Sequence, residues 1–231
     1  MPKQQENKIE DFAFEFLKRH YTEQQGVKNI LVGKAEKNKH GVVVDGLFAF
    51  MNPENAYFLA TVTFNGTDKL STFLNSYKKS GLGKLRFGTP FLVLLMGSGL
   101  NFWLDGGKTG WAAVVLVALT GFILHTVLLK VYLKRSINKF VDKLKAHQAN
   151  EQWLGLSISS LAFRNNSLAR HLLKLCKRRG IGIITVGKRA KVVVMQEPHT
   201  NICRKGDFLS HFTSEQSIRK AIQDDTVLRV A

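Results

Sequence analysis

The period of the apolar positions changes several times along the chain. Residues 9–21, IEDFAFEFLKRHY, place Ile9, Phe12, Ala13, Phe16, Leu17 and His20 at helical spacing, which predicts an amphipathic helix with one core-facing stripe. Three runs of strand character follow: VKNILVGKA at 27–35, GVVVDGLFAF at 41–50 and AYFLATVTF at 56–64. Turn-forming residues at Lys37–Gly41 and Met51–Asn55 bound the second run, so an antiparallel meander is expected. A polar helix over about Asp68–Lys79 leads away from it.

In the middle of the chain the alternation disappears. Phe87–Leu104 runs for 18 residues without a charge and Trp111–Leu129 for 19, each close to the roughly 20 with which a helix crosses a hydrocarbon core. Asp105–Gly110, with three glycines, forms the turn, and the second span extends to about Leu133 with the Lys130 ammonium snorkelling to the interface. Lys69, Lys78, Lys79, Lys84 and Arg86 precede the first span; Lys130, Lys134, Arg135, Lys139, Lys143 and Lys145 follow the second; the loop between has only Lys108. That asymmetry is the positive-inside pattern, and it puts Trp103 and Trp111 at the outer interface. The expectation is a transmembrane helical hairpin at 81–135, with spans at about 87–104 and 111–133, in a bacterial inner membrane with both termini cytoplasmic. A buried helical hairpin of a soluble protein is the alternative, and the basic flanks argue against it.

Beyond the spans, Lys134–Asn150 continues as a basic helix, and Leu168–Arg179 is a helix that Gly180 stops. Strands at 180–187 and 190–196 follow, joined by a turn at Lys188 and Arg189, and then a last helix over about Ser214–Asp224 with Thr213 and Gln216 spaced as a capping box. Neither flank has enough apolar faces to close a core alone. Residues 1–80 and 136–231 are therefore expected to form one discontinuous cytoplasmic domain, with the hairpin inserted into one of its connections.

Charge sharpens the picture. The chain has 34 Lys and Arg against 17 Asp and Glu, a formal net charge of +17, which points to an anionic partner, either nucleic acid or acidic lipid. Between Gln152 and Gln196 no acidic residue occurs, but there are nine basic ones, Arg164, Arg170, Lys174, Lys177, Arg178, Arg179, Lys188, Arg189 and Lys191. Of these, Arg170, Lys174, Lys177, Arg178, Arg179, Lys188, Arg189 and Lys191 are the candidate contacts to nucleic acid or an anionic surface. Two cysteines, Cys176 and Cys203, lack metal-ligand spacing, and the polar N-terminus lacks the apolar segment of a cleavable signal. No P-loop, G-x-G-x-x-G or nucleophile elbow supports other catalytic classes.

A helix carrying Glu15, a meander whose middle strand VVVDGLFAF holds Asp45, the strand YFLATVTF and the late segment KRRGIGIITV together resemble the restriction-endonuclease-like superfamily, the PD-(D/E)xK nucleases. The resemblance implies an α/β fold with a central mixed sheet flanked by helices. It also implies that Asp45 binds a divalent metal, Mg2+, with Glu15 assisting catalysis. The third part of the motif departs from the family: where its E-x-K would fall, this chain reads Thr61, Val62, Thr63. Threonine hydroxyls are poor magnesium ligands beside a carboxylate, and nothing there replaces the lysine that helps activate water. The expected function is a membrane-anchored, nuclease-like domain that binds nucleic acid and is catalytically impaired. Two alternatives stand: an active metal-dependent endonuclease completed by Glu54, Asp68, Lys34 or Lys69, and a membrane-surface interaction scaffold. Without a catalytic role, Asp45 is a strand-to-turn residue that holds backbone amides and Glu15 belongs to a solvated helix face.

Overall fold

Strands β1 (Leu31–Lys37), β2 (Val43–Met51) and β3 (Tyr57–Thr63) pair antiparallel in sequence order, with Leu31 opposite Ala49 and Gly46 opposite Val62. The expected meander is thus present in this computed structural model, which describes all residues except 1–2, 28, 65–66, 84–86, 104–106, 188–190, 205 and 228–231. Helix α1 (Lys3–Gln25) precedes it and α2 (Thr67–Ser80) follows. After α3 (Gly88–Trp103) and α4 (Gly107–Lys145) come β4 (Glu151–Leu156), α5 (Ser167–Arg179), β5 (Ile181–Val186), β6 (Val192–Gln196) and α6 (Glu215–Val227).

The six strands form one mixed sheet in the order β1-β2-β3-β4-β5-β6. β4 lies between β3 and β5 and is parallel to both, while β6 returns antiparallel to β5. The sequence pattern places no strand at 151–156. That strand is covered on both faces, Trp153 packing with the α1 cluster and Leu154 and Leu156 with the opposite one, so it lacks the polar alternation by which a half-exposed strand is recognised. The capping box does not form as spaced: the Thr213 hydroxyl donates to the Lys37 carbonyl instead.

One face of the sheet is covered by α1, whose Ala13, Phe14, Leu17 and Tyr21 pack against Phe48, Phe50, Phe58 and Trp153. The buried stripe therefore runs through Phe14 rather than Phe12, which is exposed. Gly46 is needed beneath it, because a Cβ there would lie 2.2 Å from the Phe14 ring. The other face carries two clusters. Leu47, Ala49 and Leu59 pack with Phe212, Ile218 and Ile222 of the C-terminal region. Leu154, Leu156, Ile181 and Ile183 pack under Leu74 of α2, Ile137 and Val141 of α4, and Leu172 of α5.

Helix α4 joins two environments. Its lower part supplies Ile137, Val141 and Leu144 to the core, whereas Leu116, Leu119, Ile123, Leu124 and Leu128 are exposed. The apolar run and the basic helix expected to continue it are one helix of 39 residues, which ends at Lys145 rather than Asn150. It is long and apolar enough to cross a membrane, and very little of its apolar stretch is buried. Residues 107–130 alone extend about 36 Å at the helical rise. Helix α3, 16 residues, is a shorter apolar helix lying along the first half of α4. Phe87 stacks on Phe122, and a Cβ on Gly97 or Gly110 would strike Val114 or Asn101.

Candidate functional site

Asp45 lies near the start of β2, half-buried. The β1–β2 ladder pairs Lys34 with Gly46 and Glu36 with Val44, so Ala35 stands opposite Asp45, with a left-handed φ of 55° that Ala rarely adopts. Gly46 is directed at α1, and the Asp45 carboxylate accepts the Phe64 N–H at 2.6 Å just past the end of β3. His147, from the connection between α4 and β4, is buried with Nδ1 3.3 Å from the Thr63 hydroxyl. Burial holds the imidazole pKa below its ordinary value of 6.5, and the negative charge of Asp45 partly offsets this.

Thr61 and Thr63, where the resemblance would place E-x-K, are closed off from solvent, at 2% and 7% exposure. Thr61 pairs across the sheet with Gln152 of β4, a residue 5% exposed whose Oε1 has no hydrogen-bond partner among the described residues. Asp45, Thr61, Thr63, His147 and Gln152 thus form a polar strip near the junction of β3 and β4, between the two apolar clusters of that face. His147 and Gln152 are not legible as members from sequence. One comes from a connection and the other from the strand that the pattern does not reveal.

Glu15 is not part of this strip. It lies exposed on α1, lining a surface groove with Phe12, Arg19 and Val192 of β6, on the sheet face that Gly46 rather than Asp45 addresses. Among the other candidates for completing a site, Lys34 is paired with Asp11 at 2.6 Å and lies 5.3 Å from the Phe14 ring centroid. Glu54 sits in the β2–β3 turn, at the opposite end of β2 from Asp45, about 20 Å away by strand rise. Asp68 and Lys69 are exposed in the first turn of α2. Among the described residues no group of three or more His, Cys, Asp or Glu is placed to hold a metal ion. Among the described residues the side-chain donors near Asp45 are its own carboxylate, a threonine hydroxyl and an imidazole, a set that does not fit the oxygen-rich octahedron of Mg2+.

The basic candidates fall mostly on α5. Asn166 caps this helix by accepting the Leu168 and Ala169 N–H groups, and Gly180 ends it in a left-handed turn with φ of 70°. Arg170, Lys174, Lys177 and Arg178 are exposed at helical spacing along one stripe. Arg179 is turned aside, its guanidinium 2.5 Å from Asp142 of α4. Lys191 is exposed at the start of the β6 segment, and Lys188 and Arg189 lie outside the described residues. Comparison with protein-family models, curated proteins and solved structures finds no match to this chain.

Proposed function

We propose that this chain is a membrane-anchored, restriction-endonuclease-like domain that binds nucleic acid through α5 and does not cleave it. The observation that carries the binding is the exposed stripe Arg170, Lys174, Lys177 and Arg178 on one helix face, within a stretch that has no acidic residue from Gln152 to Gln196. Such a field attracts phosphates along a backbone without reading bases. The meander after a leading helix and the mixed sheet support the restriction-endonuclease-like reading. Impairment rests on Thr61 and Thr63, which are buried where a carboxylate and a lysine would be required. Anchoring rests on the exposed leucines and phenylalanines of α3 and α4 and on the basic residues flanking them. These two helices form the membrane hairpin in this reading, in a bacterial inner membrane with both termini cytoplasmic.

The test uses the full chain in phosphatidylcholine nanodiscs, which present no competing anionic lipid. A duplex of about 20 base pairs should bind, with log affinity falling linearly with log salt at a slope of about −0.9 per phosphate contacted. Lys177→Glu with Arg178→Glu should weaken binding at least about tenfold and equally for all sequences. Absence of binding at about 50 mM salt defeats the reading. Robust Mg2+- or Mn2+-dependent cleavage of plasmid that disappears in Asp45→Ala defeats the impairment and makes the chain an active endonuclease.

A further inference from the structure

Where α4 passes from apolar to basic, two grooves share a wall. The first, of about 380 Å³, is lined by Lys130 and Lys134 of α4 and by Arg170 and Lys174 of α5, each pair one helical turn apart. Tyr77 and Ser167 also line it, their hydroxyl oxygens 3.1 Å apart. No acidic side chain is among its described lining residues. The second groove, of about 510 Å³, is apolar in character, lined by Phe73, Leu82, Leu129 and Leu133. Tyr77 borders both. Leu129 and Leu133 immediately precede Lys130 and Lys134, so consecutive positions of one helix line the apolar slot and the cationic chamber in turn.

We infer that the paired grooves hold one anionic phospholipid, its phosphate between Lys130, Lys134, Arg170 and Lys174 and the first carbons of an acyl chain along Leu129 and Leu133. The charge complement demands an anion, since four cations converge on one chamber without a carboxylate to neutralise them. The adjoining apolar slot demands that the anion carry hydrocarbon, a requirement that neither free phosphate nor a nucleic-acid strand meets. The position agrees as well, because the chamber lies at the basic end of the apolar run, where a headgroup layer meets the cytoplasmic side of a span. The inference rests on the membrane-anchor half of the proposed function and shares Arg170 and Lys174 with the nucleic-acid half. It assigns the N-terminal half of the α5 stripe, Arg170 and Lys174, to lipid and leaves Lys177 and Arg178 to nucleic acid.

The full chain purified in a neutral detergent is titrated with phosphatidylglycerol, phosphatidylcholine and glycerol phosphate, with bound lipid counted by native mass spectrometry. Phosphatidylglycerol should bind at least about tenfold more tightly than phosphatidylcholine, since each basic group near an anionic surface is worth about fivefold. Lys134→Gln with Arg170→Gln and Lys174→Gln should remove about 100-fold on the same scale. Lys18→Gln with Lys37→Gln and Lys220→Gln, equal in lost charge but remote in sequence, should change little, and Lys134→Arg with Lys174→Arg should retain binding. Equal affinity for the two lipids overturns the inference, as does an unaltered affinity in the first triple variant. Displacement of the lipid by equimolar glycerol phosphate overturns it in favour of a bare phosphate site. Displacement by duplex DNA, with both ligands lost equally in the triple variant, makes the groove part of the nucleic-acid surface instead. Alkaline carbonate extraction separates the two readings: a chain that stays in the membrane but lacks lipid preference loses only the pocket, whereas a chain released from the membrane loses the anchor and the pocket together.

Discussion

The Asp45 carboxylate accepts the Phe64 backbone N–H at 2.6 Å. The β2–β3 ladder reaches Gly46 opposite Val62, and this bond ties the start of β2 to the residue just past β3. Asp45→Ala should therefore lower stability by about 1–2 kcal/mol, the cost of leaving a part-buried amide without its charged acceptor. Asp45→Asn keeps an acceptor oxygen and should lose less than about 1 kcal/mol. Thermal unfolding of the detergent-solubilised variants measures the difference. If Asn proves as damaging as Ala, the carboxylate acts through its charge and not as an acceptor.

Tyr21 anchors a second buried network, on the α1 face. Its hydroxyl donates to Glu151 Oε2 at 2.6 Å and accepts the Trp153 indole N–H at 2.7 Å. Thr200 donates to the other Glu151 oxygen at 2.7 Å. Burial, reinforced by the Glu151 charge, pushes the phenol pKa well above its ordinary value of 10.0. Tyr21→Phe leaves the indole N–H and one carboxylate oxygen without this partner and should cost about 1–3 kcal/mol. Because the folded pKa is raised, the phenol's contribution is complete below about pH 10 and is lost as pH rises toward the folded pKa. Alkaline unfolding should accordingly start from a lower plateau in the Phe variant.

The meander was legible because its strands alternate and are bounded by turn residues, whereas β4 was not, since Trp153 and Leu154 are buried on opposite faces. Helical spacing marked α1 but not its rotation: Phe12 and Phe14 both fit an apolar stripe, and the space above Gly46 admits Phe14. No breaker lies between Leu129 and Lys145, so the expected continuation of the apolar run into a basic helix was legible. Of the polar strip, the family resemblance singled out Asp45, Thr61 and Thr63. His147 and Gln152 join them only through the parallel β3–β4 pairing, a contact between segments that α3 and α4 separate in the chain. Charge counting found the basic stretch, but it did not distinguish Arg179, paired with Asp142, from Arg170 and Lys174, which line a groove with Lys130 and Lys134 of α4.

His147 makes stability depend on pH on the acid side. Its folded pKa lies below 6.5 because of burial, so below about pH 6.5 the unfolded chain takes up a proton that the folded one refuses. Stability should fall from there until the pH reaches the folded pKa and then level off. His171 adds to the same slope, its pKa lowered by burial and by Lys134. Melting temperature followed from about pH 7.5 to 5 should drop less in His147→Asn, and least in the double variant with His171→Asn. Asp45→Asn removes the charge that favours the imidazolium and should deepen the drop. An Asp45→Asn profile parallel to that of the unaltered chain would show that the two groups do not communicate.

The orientation of the proposed anchor can be read by cysteine chemistry. Cys176 is buried, and its thiol pKa is pushed up to about 12 by that burial, so it stays unreactive toward maleimide in the folded chain. With Cys203→Ser in place, Lys108→Cys supplies a single accessible thiol at the start of α4, beside the loop between the two apolar helices. Gln216→Cys, in the same background, places one on exposed α6. The positive-inside distribution of lysines predicts that a membrane-impermeant maleimide added to intact spheroplasts labels the Lys108→Cys chain and leaves the Gln216→Cys chain unlabelled until the membrane is permeabilised. Labelling of both sites before permeabilisation is incompatible with a two-span anchor whose termini are cytoplasmic. Labelling of Gln216→Cys alone would invert it, setting the basic residues against the outer leaflet and removing the electrostatic ground for the lipid groove at Lys130 and Lys134.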